Sequence, residues 1–206
     1  HDLQIVVHDS AQVTLLERAV TTHRFVVWLK ADTGMNRLGF PPGEFSAALA
    51  RLTLLGPRLQ EIRLLTHLAC ADEREAAMTS EQLGRFEALA RDLPFARSLA
   101  NSAAVFAFPG AHGDWVRPGL ALYGVSPFTG THGASLGLVP AMRLLSTVIS
   151  LRDVPTGQTV GYGGAWRAAR DSRIAIVAAG YGDGLPWSLS RGATVLVNGM
   201  LLPLAG

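Results

Sequence analysis

From Leu3 to Tyr123 short apolar runs alternate with segments whose apolar residues recur at helical spacing, and this alternation restricts the fold more than any other feature. Leu3 to His8 has the pattern of a short buried strand, and Ser10 is placed to cap a helix carrying Val13, Leu16 and Ala19. Phe25 to Leu29 is a second strand. Pro41 and Pro42 then open a helix, because proline is tolerated in the first turn, and Phe45, Ala48, Leu49 and Leu52 line one face of it. Glu61 to Ala69 returns as a strand. Thr79 with Gln82 three residues on has the form of a capping box, and Leu83, Phe86, Leu89, Ala90 and Leu93 follow as a core stripe. Ala96 to Ser102 and Val116 to Tyr123 close the series. Strands joined by helices run parallel through right-handed crossovers, so an α/β fold is expected, its parallel sheet open or closed into a barrel.

After Pro127 the pattern changes. Phe128 to Ser135 is rich in Gly, Ser and Thr and has the composition of a linker; beyond it Met142 to Leu151, Arg173 to Ala178 and Thr194 to Leu204 are β-rich. Asn198-Gly199 between two apolar triplets is a two-residue hairpin signal. A boundary near residue 130 gives two domains, 1–130 and 131–206.

Composition excludes several classes. A hydrophobic share of 49% against 17% charged residues belongs to a globular chain. The net charge is only +2 and the basic residues are scattered, which argues against a nucleic-acid partner although the pI is near 9.1. No apolar run is long enough for a membrane helix. A lone cysteine, Cys70, has no internal partner and points to a reducing cytoplasm. The chain starts at His1 without a methionine and stops after the apolar run Met200 to Leu204, so both ends have the look of cuts.

Charge and hydrogen-bonding groups gather where the strands should end. Lys30, the only lysine, and Arg37 follow the second strand in FVVWLKADTGMNRLGF, and His67 ends the next. Asn101 and Ser102 follow another strand, and Arg117 and Gly119 lie on the last. In α/β folds these carboxyl ends are where sites are built, and a barrel commonly holds a phosphate in its final loops.

WLKADTGMNRLGF, THLACADE, LANSAA, VRPGLALYG, VGYGGAW and GYGDG, in this order, closely resemble bacterial alanine racemase along essentially the whole chain. The resemblance implies part of a (β/α)8 TIM-type barrel followed by a C-terminal β domain. It implies pyridoxal 5'-phosphate (PLP) as cofactor, alanine as substrate, a homodimer with sites at the subunit interface, and a two-base interconversion of L- and D-alanine through a PLP imine, supplying D-alanine for peptidoglycan. By motif, Tyr162 resembles the catalytic tyrosine that acts in the partner's site, and Arg117 resembles the arginine that faces the pyridine nitrogen. Asn101, Ser102, Gly119 and Leu120 fall in or beside the phosphate-binding stretches, and His67 lies beside the ring. Arg37 falls where the family steers the tyrosine and the substrate carboxylate, and Lys30 falls where it often has a carbamylated lysine that orients this arginine.

The departures matter equally. The family's Schiff-base lysine lies upstream of His1, and its C-terminal interface motif and phosphate-binding tyrosine lie downstream of Gly206; the chain corresponds to the middle of a racemase and is expected to be inactive by itself. A related racemase accepting serine, or a noncatalytic PLP-binding barrel, remains open. Arg117 has Asp114 as an alternative, structural ion-pair partner. Other classes fit less well. Asp32-Thr33-Gly34 has the aspartic-protease form, but the helical stripes contradict an all-β chain. His67, Cys70 and Asp72 have no second cluster to complete a metal site. GYGGAW lacks the strand, helix and downstream acid of a dinucleotide loop.

Overall fold

The computed structural model describes residues 3–190 and 192–205. It divides into two compact units, His1–Met142 and Arg143–Gly206.

The first unit is a five-stranded parallel sheet whose spatial order equals the chain order: β1 (Ile5–Val7), β2 (Phe25–Lys30), β3 (Leu59–Leu65), β4 (Arg97–Asn101) and β5 (Trp115–Arg117). Helices α1 (Ser10–Arg18), α2 (Pro42–Leu54), α3 (Ala77–Ala90) and α4 (Ser102–Ala107) connect successive strands, and the short α5 (Gly119–Leu122) follows the last. This is a partial (β/α)8 barrel. Successive side chains of a strand point to opposite faces. On β2, Val27 and Leu29 enter the core with Phe45 and Leu52 of α2 and Phe86 of α3, and Trp28 and Lys30 stand on the other face. That other face is aromatic and charged: the Arg63 guanidinium lies over the rings of Trp28 and Trp115, at 5.2 and 4.7 Å from their centroids.

Three local expectations need correction. Asp9 caps α1, its carboxylate accepting the Ala11 N–H at 2.7 Å, and Ser10 is the first helical residue. No capping box opens α3: the helix begins at Ala77 after Ala76, Thr79 is buried inside it, and the Gln82 amide is spent on tertiary hydrogen bonds. The Gly/Ser/Thr-rich stretch after Pro127 packs onto the first unit through Phe128, which is 7% exposed and lies edge-on to Phe106.

The second unit is antiparallel. β6 (Val148–Val154) pairs with β9 (Ser172–Val177), and β7 (Thr159–Val160) with β8 (Trp166–Arg167). β10 (Thr194–Val197) and β11 (Met200–Pro203) form the expected hairpin, with φ of 48° at Asn198 and 82° at Gly199, the left-handed pair that a two-residue turn matched to strand twist requires. Among the described residues no helix is long and apolar enough to cross a membrane.

Candidate active site

β2 ends in a loop tied back onto itself. The Asp32 N–H donates to the Phe40 carbonyl and the Phe40 N–H to the Lys30 carbonyl, both at 2.8 Å. The Asp32 carboxylate accepts the N–H groups of Gly34 and Asn36, each at 3.0 Å, so this acid is engaged in shaping its own loop. Gly39 closes the loop at φ +126°, where a Cβ would lie 2.7 Å from the Asp32 nitrogen; only glycine fits. The fold-back brings Arg37 into the electrostatic neighbourhood of Lys30.

Lys30 is 9% exposed. Burial first, then the charges of Arg37 and Arg117, push its ammonium below the ordinary lysine range, against a smaller opposing pull from Asp32. Among the described residues no hydrogen bond or ion pair engages its Nζ.

Arg117, at the end of β5, is held from several sides. Its Nη1 donates to Ser98 Oγ at 2.5 Å, and its Nη2 donates to the carbonyls of Thr66 and Leu99 at 2.6 and 3.3 Å. Ser98 Oγ in turn donates to the Trp115 carbonyl at 2.9 Å. Asp114 takes no part: its carboxylate accepts the Arg97 N–H, which removes the ion-pair alternative. Burial lowers the Arg117 pKa, but a guanidinium remains protonated throughout the working range.

His67 lies just past β3, with its Nδ1 3.4 Å from Arg117 Nη2. Burial, then the charges of Arg117, Lys30 and Arg37, lower its pKa to about 4, so the imidazole is neutral near neutral pH. An arginine can only donate, so Nδ1 is the bare nitrogen and the ring proton sits on Nε2.

Two short helices start beside these groups. Asn101 caps α4, its Oδ1 accepting the Ala104 N–H at 3.0 Å while its Nδ2 donates to the Leu68 carbonyl at 3.1 Å. Ser102 Oγ accepts the Ala121 N–H at 3.2 Å, which joins α4 to α5 and leaves the hydroxyl proton available. Gly119 opens α5, with open space where a Cβ would sit, and Leu120 beside it is exposed. Tyr162 belongs to the second unit; it is 75% exposed and its ring lies 6.3 Å from Trp187, which also faces Tyr181 at 5.8 Å.

The first unit therefore gathers Lys30, Arg37, His67 and Arg117 at the carboxyl ends of parallel strands, with Asn101, Ser102 and Gly119 on the adjoining segments. Sequence reasoning missed the residues that hold them. Ser98 ties the Arg117 side chain to β4, and Thr33, Thr66 and Gln82 form a buried hydrogen-bonded group behind the loops after β2 and β3. Their sequence signal is faint: Thr66 is a polar residue at the end of an apolar run, and Thr33 is one polar residue among several in the loop after another. Among the described residues no group of three or more His, Cys, Asp or Glu side chains is arranged to hold a metal ion.

A parallel α/β barrel segment with a cationic site at its strand ends, followed by a β-rich unit, defines an enzyme class with the site at the carboxyl ends of the barrel strands. Residues 1–127 match the family model described as alanine racemase, N-terminal domain, and residues 141–206 match the one described as alanine racemase, C-terminal domain. The chain belongs to the alanine racemase family.

It is 50% identical over all 206 residues to the alanine racemase of Shewanella baltica, covering 58% of that protein. Among solved structures it is similar to the biosynthetic alanine racemase of Pseudomonas aeruginosa, with 46% identity, a TM-score of 0.87, and coverage of 97% of this chain and 56% of that one. It is also similar to the Bartonella henselae alanine racemase, a structure with covalently bound pyridoxal phosphate: 29% identity, TM-score 0.74, 98% of this chain and 56% of that one. The chain thus spans a little over half the length of the relatives it matches.

Proposed function

We propose that the intact protein is a PLP-dependent alanine racemase of the cytoplasm, acting as a homodimer and supplying D-alanine for peptidoglycan. The observation that carries the proposal is the cluster of Lys30, Arg37 and Arg117 around the neutral imidazole of His67, with the neighbouring Asp32 carboxylate turned to its own loop. Residues 1–130 form the cofactor-binding part of the barrel in this reading, and 131–206 part of the C-terminal β domain.

The donor set fits PLP, an anionic group with a planar ring. It offers cations, a hydroxyl and main-chain N–H groups at helix starts. Asn101, Ser102, Gly119 and Leu120 would hold the phosphate, His67 would lie beside the ring, and Arg117 would face the pyridine nitrogen. PLP, when bound, supplies the electron sink that makes removal of the substrate α-proton feasible.

This chain's residues do the rest. Arg117 cannot release a proton at working pH, so facing the pyridine nitrogen it would only donate a hydrogen bond and would disfavour protonation of that atom. Arg37 binds the alanine carboxylate and orients the phenol that exchanges the α-proton on one face. Lys30 orients Arg37 once it is carbamylated, because the carbamate is an anionic acceptor whereas the ammonium only repels that guanidinium. Tyr162, whose ring is largely exposed in its own unit, supplies that phenol to the partner's site. Two bases on opposite faces give inversion at the α-carbon.

The test is chiral chromatography of L-alanine and L-serine incubated with the intact, PLP-loaded protein. D-alanine forming faster than D-serine supports the proposal. D-serine forming faster makes it a serine racemase, and PLP binding with neither product makes it a noncatalytic carrier.

A further inference from the structure

We infer that Gln82, on the helix behind the site, is a positioning residue for Arg117 and His67, acting through a buried hydrogen-bond chain that sets the two loops after β2 and β3 relative to each other; this rests on the racemase reading above for the site's chemistry. Gln82 has no solvent exposure, and neither has Thr66.

The donors and acceptors permit one arrangement only. Thr66 Oγ1 donates to the Ala31 carbonyl at 3.0 Å, which uses its single proton. At the 2.8 Å contact between Thr33 Oγ1 and Thr66 Oγ1, Thr33 is therefore the donor. Thr33 then offers only lone pairs to Gln82, so the amide must present its NH2, with Nε2 3.3 Å from Thr33 Oγ1. The same NH2 donates to the His67 carbonyl at 3.0 Å. That orientation turns Oε1 toward the Ala69 N–H, which it accepts at 2.8 Å. Each hydrogen of the amide has an acceptor and its oxygen has a donor.

What Gln82 holds is the main chain on which the site is built. Its two contacts with the β3 loop fall on the His67 carbonyl and the Ala69 N–H, and through Thr33 and Thr66 it reaches Ala31, next to Lys30. The Thr66 carbonyl is the acceptor of Arg117 Nη2 at 2.6 Å. Loss of the amide shifts Thr66 and His67 together, and with them the guanidinium and the imidazole. A group buried without exposure and fully paired does not yield locally, because each orphaned partner must find another in a site closed to water.

The test compares Gln82→Met, which keeps length and removes the hydrogen bonds, with the unaltered intact protein. In the PLP-loaded enzyme kcat for alanine racemisation should fall about 10- to 100-fold with KM moving less than about threefold, as expected for misplacement of groups after binding. In the cofactor-free protein the NMR titration of the His67 ring should move upward from about 4, since the ring leaves its position against Arg117. A folded Gln82→Met protein with unchanged kcat and unchanged His67 titration overturns the inference. If Gln82→Met does not fold, Thr66→Val and Thr66→Ser decide: the losses must appear in Val and be absent in Ser, and equal behaviour of the two overturns it. Absence of racemisation by the unaltered protein would sink the racemase reading alone, because the His67 titration still tests the positioning.

Discussion

His67 should make stability depend on pH in a direction opposite to a histidine that gains an acidic partner. Its pKa in the folded protein is about 4, below the ordinary histidine value of 6.5. Between these values the unfolded chain takes up a proton that the folded ring refuses. The contribution is therefore fully present above pH 6.5 and is lost as the pH falls toward 4. At ~1.4 kcal/mol per tenfold change in proton affinity the full span amounts to about 3 kcal/mol. The ring is half-buried, and solvent screening reduces this to about 1–2 kcal/mol. The perturbation is His67→Gln, which removes the titrating group and keeps a neutral polar side chain. Urea unfolding of both proteins at about pH 7.5 and about pH 4.5 isolates the effect, because other carboxylates contribute alike to each and cancel. The unaltered protein should lose about 1–2 kcal/mol more than the variant over that interval. Equal losses in the two proteins would refute the reasoning, as would a larger loss in His67→Gln. Arg117→Met offers a check on cause: with burial the larger contribution and Arg117 the second, the ring should titrate higher but remain below 6.5.

Other outcomes are expected of the intact protein. Gly39→Ala, which puts a Cβ 2.7 Å from the Asp32 nitrogen in a backbone conformation that L side chains avoid, should cost about 1–3 kcal/mol by urea unfolding; no measurable loss would show that the loop relaxes freely. Phe86→Ala, in the core between α3 and the sheet, should cost about 3–5 kcal/mol, and a loss below about 1 kcal/mol would contradict its placement. Borohydride reduction of the PLP-loaded protein, mapped by mass spectrometry, should leave Lys30 unmodified; stoichiometric labelling of this lysine would give it a covalent role in place of a supporting one.

The strand and loop built around Lys30 were legible because an apolar run ending in charge has few other uses in an α/β chain. The Asn198-Gly199 turn was legible for a more local reason: both residues must adopt positive φ, and few pairs do so without strain. Capping was read less well. Asp9 and Ser10 are both good caps, and sequence alone does not say which will leave the helix. Gln82 is the instructive case. Three residues after Thr79 it satisfies a local capping pattern, yet its amide serves partners at Thr33, His67 and Ala69, which only the tertiary fold brings near. The gathering of Lys30, Arg37, His67 and Arg117 followed from placing each at a strand end. The choice of Ser98 and Thr66 as Arg117's partners did not, because it depends on strand register.

The most direct measurement is α-proton exchange in heavy water, started separately from L-alanine and from D-alanine, with the intact PLP-loaded protein and its Tyr162→Phe variant. The unaltered protein should incorporate deuterium from both enantiomers and interconvert them, and Tyr162→Phe should retain the cofactor and lose exchange on one face only. Symmetric loss of exchange together with loss of PLP would make Tyr162 structural, and unchanged exchange from both enantiomers in the variant would contradict the two-base site altogether.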